Sequence, residues 1–352
     1  MESELTRLND KLQSAVFLED VFGKDIQSTF RFLVKVCHPD VCKEPGANSV
    51  FALLSDLREE AESSLKLGQY GKRIPRKKAH TNLSINLGST VINLEKTLGS
   101  GVVSTVYQVD SSVKFCKVPR TPSNNDLIQR EYDVLKILWQ LTGNDKFDKF
   151  VEIQRKYVPK PLSIHATIND KSEKRLVSVY GMNDLLHYTI EDLLKMPKYS
   201  SGIDPADVFW IIRRLLMTLH LSHSKGYVHG SIHPGHVLVC PEGHGLTLVG
   251  WSSTAKINEQ KVPIMESKYS EYVSPELKKG HLSHATTDLY SVAKLFFKMI
   301  GSQTIPNEIK SYMNRSLDVD YSKRCQLAFT FHEEFGDILK KTGYTGYHEM
   351  VV

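Results

Sequence analysis

The side chains best equipped for chemistry lie between Val228 and Lys256. Four histidines, His229, His233, His236 and His244, crowd this stretch. Imidazole titrates near neutral pH and is a common metal ligand, so the cluster suggests a base or a transition-metal site. Packing and surface histidines are the plainer reading. Carboxylates are scarce by contrast: the only acidic side chain from Val228 to Lys256 is Glu242, in a Pro-Glu-Gly turn. Magnesium takes hard oxygen ligands, so this stretch is poorly furnished for it. Ser231 lies among the histidines, but a serine is no base near neutral pH without an activating partner. A second group, Cys37, His38 and Cys42, falls short of the four ligands of a structural zinc site and reads as two incidental thiols.

The surrounding pattern shows what must hold these residues. Asp25 to Val36 places Ile26, Phe30, Leu33 and Val34 at helical spacing, and Ser49 to Leu67 repeats the trend. From Leu83 to Val118 the period shortens to alternation, with Gly99, Gly101 and Asp110-Ser111-Ser112 as turns. Asn125 to Leu141 is helical again. Val177 to Met182 reads as a strand, Val208 to Ser224 as a long buried helix, and Val237 to Val239 and Leu246 to Val249 as short strands. A β-rich segment followed by a helix-rich one is an α+β pattern.

Composition narrows the class. With 352 residues, two domains are the natural expectation, and 41% hydrophobic against 24% charged residues suits a folded, soluble chain. No apolar run approaches the ~18 residues of a membrane span. The first residues lack the apolar core of a signal peptide. Five scattered cysteines read as reduced, so a cytoplasmic location is expected. The net charge of +5 demands no acidic partner. Gly71 to His80 carries five basic residues between Lys72 and Lys78 and reads as a solvated linker. A nucleic-acid contact there would lack readout residues, so nucleic acid is not expected as a partner.

The motifs of the second segment resemble a protein kinase. Leu98-Gly99-Ser100-Gly101-Val102-Val103-Ser104 lies between two alternating runs, like the glycine loop over ATP phosphates, with Ser104 for the third glycine. Either Lys114 or Lys117 stands where kinases keep the third-strand lysine. Cys116-Lys117-Val118-Pro119 favours Lys117, although its pleat also turns Phe115 inward, into the adenine position. Glu131 would be the partner. Val228-His229-Gly230-Ser231-Ile232-His233-Pro234-Gly235-His236 is similar to the catalytic loop H-R-D-L-x-x-x-N. In that comparison Ser231 replaces the base and His236 the metal-binding asparagine. Val249-Gly250-Trp251 matches the entrance to D-F-G, with Gly250 in place of the aspartate. Val273-Ser274-Pro275-Glu276 matches A-P-E, Asp288 would anchor the catalytic loop, and Arg324 would pair with Glu276.

The N-terminal segment resembles a J domain: helix, His38-Pro39-Asp40, loop, helix, over about Ala15 to Tyr70. In that family the tripeptide contacts DnaK-type chaperones, with a basic preceding face that Arg31 and Lys35 would supply. Kinase-like proteins with a J-like N-terminus form a narrower group that this chain also resembles. There V-H-G replaces the catalytic signature and D-W replaces D-F; here that D is lost too.

These resemblances imply a J-like domain over residues 1–70, a basic linker over 71–82, and a bilobal kinase-like fold with lobes 83–182 and 183–352. The function they imply is a catalytically inactive, pseudokinase adaptor or co-chaperone. It would recruit a DnaK-type chaperone to an unknown client, with no metal, no membrane and no cofactor expected. ATP without magnesium stays open, held by Gly99, Gly101, Ser104, Lys117 and Glu131. An atypical transferase with a histidine base or another metal, and a purely structural interaction protein, are the alternatives.

Overall fold

In the computed structural model the chain divides into two units, Met1–Asn82 and Leu83–Val352. The structure describes residues 3–15, 17–38, 41–44, 47–66, 68–72, 83–86, 91–109, 113–168, 173–182, 188–241, 244–344 and 350. Pro39, Asp40, Glu242 and the basic run from Arg73 to Lys78 therefore lie outside the described residues.

The first unit is helical: α1 (Glu4–Ser14), α2 (Leu18–Phe22), α3 (Ile26–Cys37) and α4 (Ala47–Lys66). Asp25 caps α3 by accepting the Ser28 amide at 3.0 Å, which satisfies one of the orphan donors of a helix start. The i, i+7, i+11 spacing then turns Ile26, Leu33 and Cys37 inward against Leu54, Leu57 and Ala61 of α4. Tyr70 closes the unit by donating to the Gly23 carbonyl at 2.8 Å.

The second unit opens with an antiparallel sheet of β1 (Leu83–Asn86), β2 (Val91–Ser100), β3 (Ser104–Val109), β4 (Lys114–Pro119), β5 (Lys160–Ile168) and β6 (Lys174–Gly181). Their order is β1-β2-β3-β4-β6-β5. Two helices, α5 (Asn125–Trp139) and α6 (Asp145–Gln154), intervene before β5. The apolar stripe of α5 (Ile128, Val134, Leu135 and Leu138) is buried.

Beyond the sheet come β7 (Tyr188–Thr189), α7 (Ile190–Lys195) and α8 (Pro205–Ser224). Asp204 caps α8 and Pro205 takes its first turn, where a missing amide proton costs nothing. The helix is apolar on nearly every face, and it accordingly runs through the core. It leads to β8 (Tyr227–Val228), β9 (Val237–Cys240), β10 (Gly245–Leu248) and β11 (Ala255–Lys256). The helices α9 (Pro275–Lys278), α10 (Ala285–Ile300), α11 (Asn307–Arg315) and α12 (Ala328–Lys341) complete the unit. No described helix is long and apolar enough to cross a membrane.

One buried ion pair ties the later elements together. Arg324 donates to both Glu276 oxygens, at 2.7 and 2.9 Å, and its Nε donates to the Asp318 carbonyl at 2.7 Å. Burial alone would raise the Glu276 carboxyl, but the Arg324 hydrogen bonds hold it below its usual range. Removing one partner of such a pair strands the other charge. Arg324→Ala is therefore expected to lose about 3–5 kcal/mol in denaturant unfolding, and Arg324→Lys a smaller amount, since lysine lacks the fork.

Candidate functional site

Strand β4 presents Lys117, not Lys114, to the interior. Lys114 is exposed, whereas Lys117 is 7% exposed and reaches both oxygens of Glu131 on α5, at 2.6 and 2.8 Å. The same pleat turns Phe115 inward, where it stacks on Tyr180 with centroids 5.2 Å apart. Phe115 and Lys117 line one cleft with Gly99, Gly101, Ser104 and His236, and it encloses about 340 Å³. That volume lies within the range of small-ligand pockets. The sequence-predicted phosphate loop, lysine and glutamate are thus brought together.

The loop between β8 and β9 hangs on Asp288. Its carboxylate accepts the amides of His229 at 2.8 Å and Gly230 at 2.9 Å, and lies 2.9 Å from His223 Nε2. His229 is fully buried, its Nε2 3.0 Å from the Val249 carbonyl. Gly230, at φ +77°, adopts a left-handed conformation. A Cβ there would lie 2.7 Å from the Ser253 carbonyl, so the backbone excludes the arginine that kinases place at this point.

His236 and Gly250 form an interlocked pair. Nδ1 of His236 donates to the Ser231 carbonyl at 2.8 Å, fixing the ring beside Gly250. Gly250 has φ +83°, and a Cβ built on it would fall on the His236 imidazole. No carboxylate fits at Gly250 while His236 keeps this rotamer. Trp251 follows, fully buried; its amide donates to Glu131 at 3.2 Å and its indole to the Leu248 carbonyl at 2.7 Å.

The four-histidine cluster divides. His244 stacks on Trp210, with centroids 4.6 Å apart. His233 instead stacks on Tyr269 at 3.5 Å and lies 3.8 Å from the His236 ring. Sequence reasoning missed four residues of this wall. Lys268 donates to Glu191 at 2.7 Å, Tyr269 donates to the other Glu191 oxygen at 2.6 Å, and Glu266 lies beside His233 and His236. Burial would raise Glu191, but the bonds from Lys268 and Tyr269 hold it below its usual range. No motif marks the segment that carries Glu266, Lys268 and Tyr269.

Burial, with Lys117 and His223 adding to it, pushes His229 down to about 4. Burial and the neighbouring His229 push His236 down to about 3. Both rings are therefore neutral at pH 7.

No family model matches the sequence. The probable serine/threonine-protein kinase glkA of Dictyostelium discoideum is 27% identical over 215 residues, which is 60% of this chain and 40% of the relative. The probable serine/threonine-protein kinase PknB of Bifidobacterium longum is 22% identical over 143 residues, 38% of this chain and 21% of the relative. The chain thus spans less than half the length of these curated relatives. Two solved structures are similar at 15% identity. Vaccinia related kinase 3 has a TM-score of 0.55, covering 74% of this chain and 90% of that one. The PknI kinase domain of Mycobacterium tuberculosis has a TM-score of 0.51, covering 73% and 97%. The chain has a protein-kinase-like fold, with serine/threonine-kinase relatives.

Two outcomes follow from this geometry. Gly250→Asp should lose about 2–4 kcal/mol, from left-handed strain and displacement of the His236 ring. In the His236→Asn background the same change should cost markedly less; a denaturant double-mutant cycle giving simple additivity would refute the interlock. The second concerns pH. The folded state depresses His229 and His236 below the ~6.5 of the unfolded chain, so their contribution is complete above that value. It should fade as pH drops from 6.5 toward 4 and 3, by at most about 1.4 kcal/mol per pH unit for each ring. Urea midpoints measured across this range, with a flatter profile for His236→Asn, check it.

Proposed function

We propose that this chain is a pseudokinase adaptor, a kinase-like fold that does not transfer phosphate, whose J-like N-terminal segment recruits a DnaK-type chaperone to a protein client. The observation that carries the first half is the Gly250–His236 interlock. Phosphoryl transfer depends on metal ions neutralising the phosphates and on a base near the acceptor hydroxyl. Here an imidazole fills the space of a metal-binding carboxylate, and Ser231 stands at the position of the base. The Lys117–Glu131 pair beneath the glycine loop suits a nucleotide held without magnesium, while Phe115 narrows the adenine end.

The chaperone half rests on the end of α3. His38 caps that helix, its amide donating to the Val34 carbonyl at 2.8 Å. Its ring packs edge-on against Phe51 of α4, with centroids 5.2 Å apart. Arg31 and Lys35 lie one turn apart on the exposed side of α3. A helix pair meeting at His38, beside a basic face, is what the resemblance to a J domain calls for.

The full chain should stimulate the ATPase of a DnaK-type chaperone, and His38→Gln should reduce that stimulation severalfold. Equal rates for wild type and variant would remove the recruitment half. ATP should raise Tm equally with magnesium and with chelator, and labelled ATP should pass no phosphate to the chain or to a generic protein. Stabilisation that requires magnesium, or transfer of label, would favour the atypical transferase instead.

A further inference from the structure

We propose that His233, His236 and Glu266 form a binding site for a late first-row transition-metal ion, Zn²⁺ or Co²⁺, on the wall of the cleft. This departs from the sequence expectation of no metal, and it is independent of the chaperone reading. One ligand atom from each of the three residues lies within 4.8 Å of the others, close enough to share one ion. Two imidazoles and a carboxylate, with a position left for water or an anion, is a donor set that zinc accepts. Magnesium, which takes oxygen ligands in near-octahedral array, is ill served by it.

The hydrogen bonding of the rings supports the assignment, although they lie tilted face to face at 3.8 Å and one must turn for both to reach the same ion. Nδ1 of His236 donates to the Ser231 carbonyl, which leaves the lone pair on Nε2. A backbone carbonyl on the far nitrogen is the usual support of a metal-bound histidine. The His233 ring is 3% exposed, and its Nε2 is buried without a hydrogen-bond partner. A buried polar atom left unpaired is costly, and an ion at this point would satisfy it in exchange for the weaker bond at Nδ1. Nδ1 of His233 accepts the Gly235 amide at 3.2 Å, a long bond. On ligation through Nε2 the ring proton moves from Nε2 to Nδ1 and that bond is given up, with no net proton change at the ring. Among the described residues no salt bridge reaches Glu266, so its carboxylate is available. Of the other two histidines, His229 is committed to the Val249 carbonyl and His244 to the Trp210 face.

The test uses the full chain after chelation, titrated with Zn²⁺ by calorimetry and with Co²⁺ by visible absorption. One equivalent should bind, and the Co²⁺ form should show the intense ligand-field bands of four-coordination. Glu266→Gln and His236→Ala should each weaken binding at least tenfold, while His244→Ala should leave it unchanged. Glu266→Gln is the deciding variant, because Glu266 is only half-buried and glutamine keeps its volume. Wild-type affinity in Glu266→Gln would overturn the site. So would loss of binding in Cys37→Ser/Cys42→Ser, or displacement of Zn²⁺ by equimolar Mg²⁺.

Discussion

Asp288 gathers two consecutive backbone amides and an imidazole onto one buried carboxylate, and the loop from His229 to His236 takes its course from that point. Low surrounding dielectric strengthens each of these bonds and makes each one expensive to lose. The left-handed turn at Gly230 follows, because the chain must present both amides to the same group. From there the loop carries Ser231, whose carbonyl orients His236, which in turn governs what can stand at Gly250. The architecture of the cleft floor thus descends from a residue that does not itself line the cleft.

Two sets of residues have separate fates in this fold. Those that hold shape keep the chemistry expected of them: Glu276 with Arg324, Asp288 with the loop amides, Lys117 with Glu131. The positions that the kinase resemblance assigns to magnesium and to the base carry groups of a different kind: Gly250, with the His236 imidazole pressed against it, and Ser231. The cleft remains open at about 340 Å³, and its wall sets the imidazoles of His233 and His236 beside the carboxylates of Glu191 and Glu266.

Much of the fold was readable from periodicity. The helices α3, α5 and α8 fall where apolar spacing places them, and β9 and β10 lie within a residue of expectation. The amphipathic α1 is hard to read because its polar composition masks three well-spaced leucines. Strand β5 is hard to read because Lys160-Pro161 and an exposed outer face weaken its alternation. The choice between Lys114 and Lys117 lay beyond the local pattern: both fit a strand, and only the position of Glu131 on a separate helix decides between them. Glu266 escaped for a related reason. Glu266 lies ten residues beyond the catalytic-loop stretch that ends at Lys256, and the chain folds back to bring it to the same wall. Local sequence has no signal for such a return.

The interlock at Gly250 and His236 also has an energetic meaning. Placing a carboxylate at Gly250 alone sets a strained residue against the ring; removing the ring alone opens a void and gives up its bond to Ser231. Folded chains keep a margin of only about 5–15 kcal/mol, so either step uses a substantial share of it. The two positions therefore have to be considered as one: a side chain at Gly250 and the ring of His236 in this rotamer exclude each other, and a change at either draws on that margin.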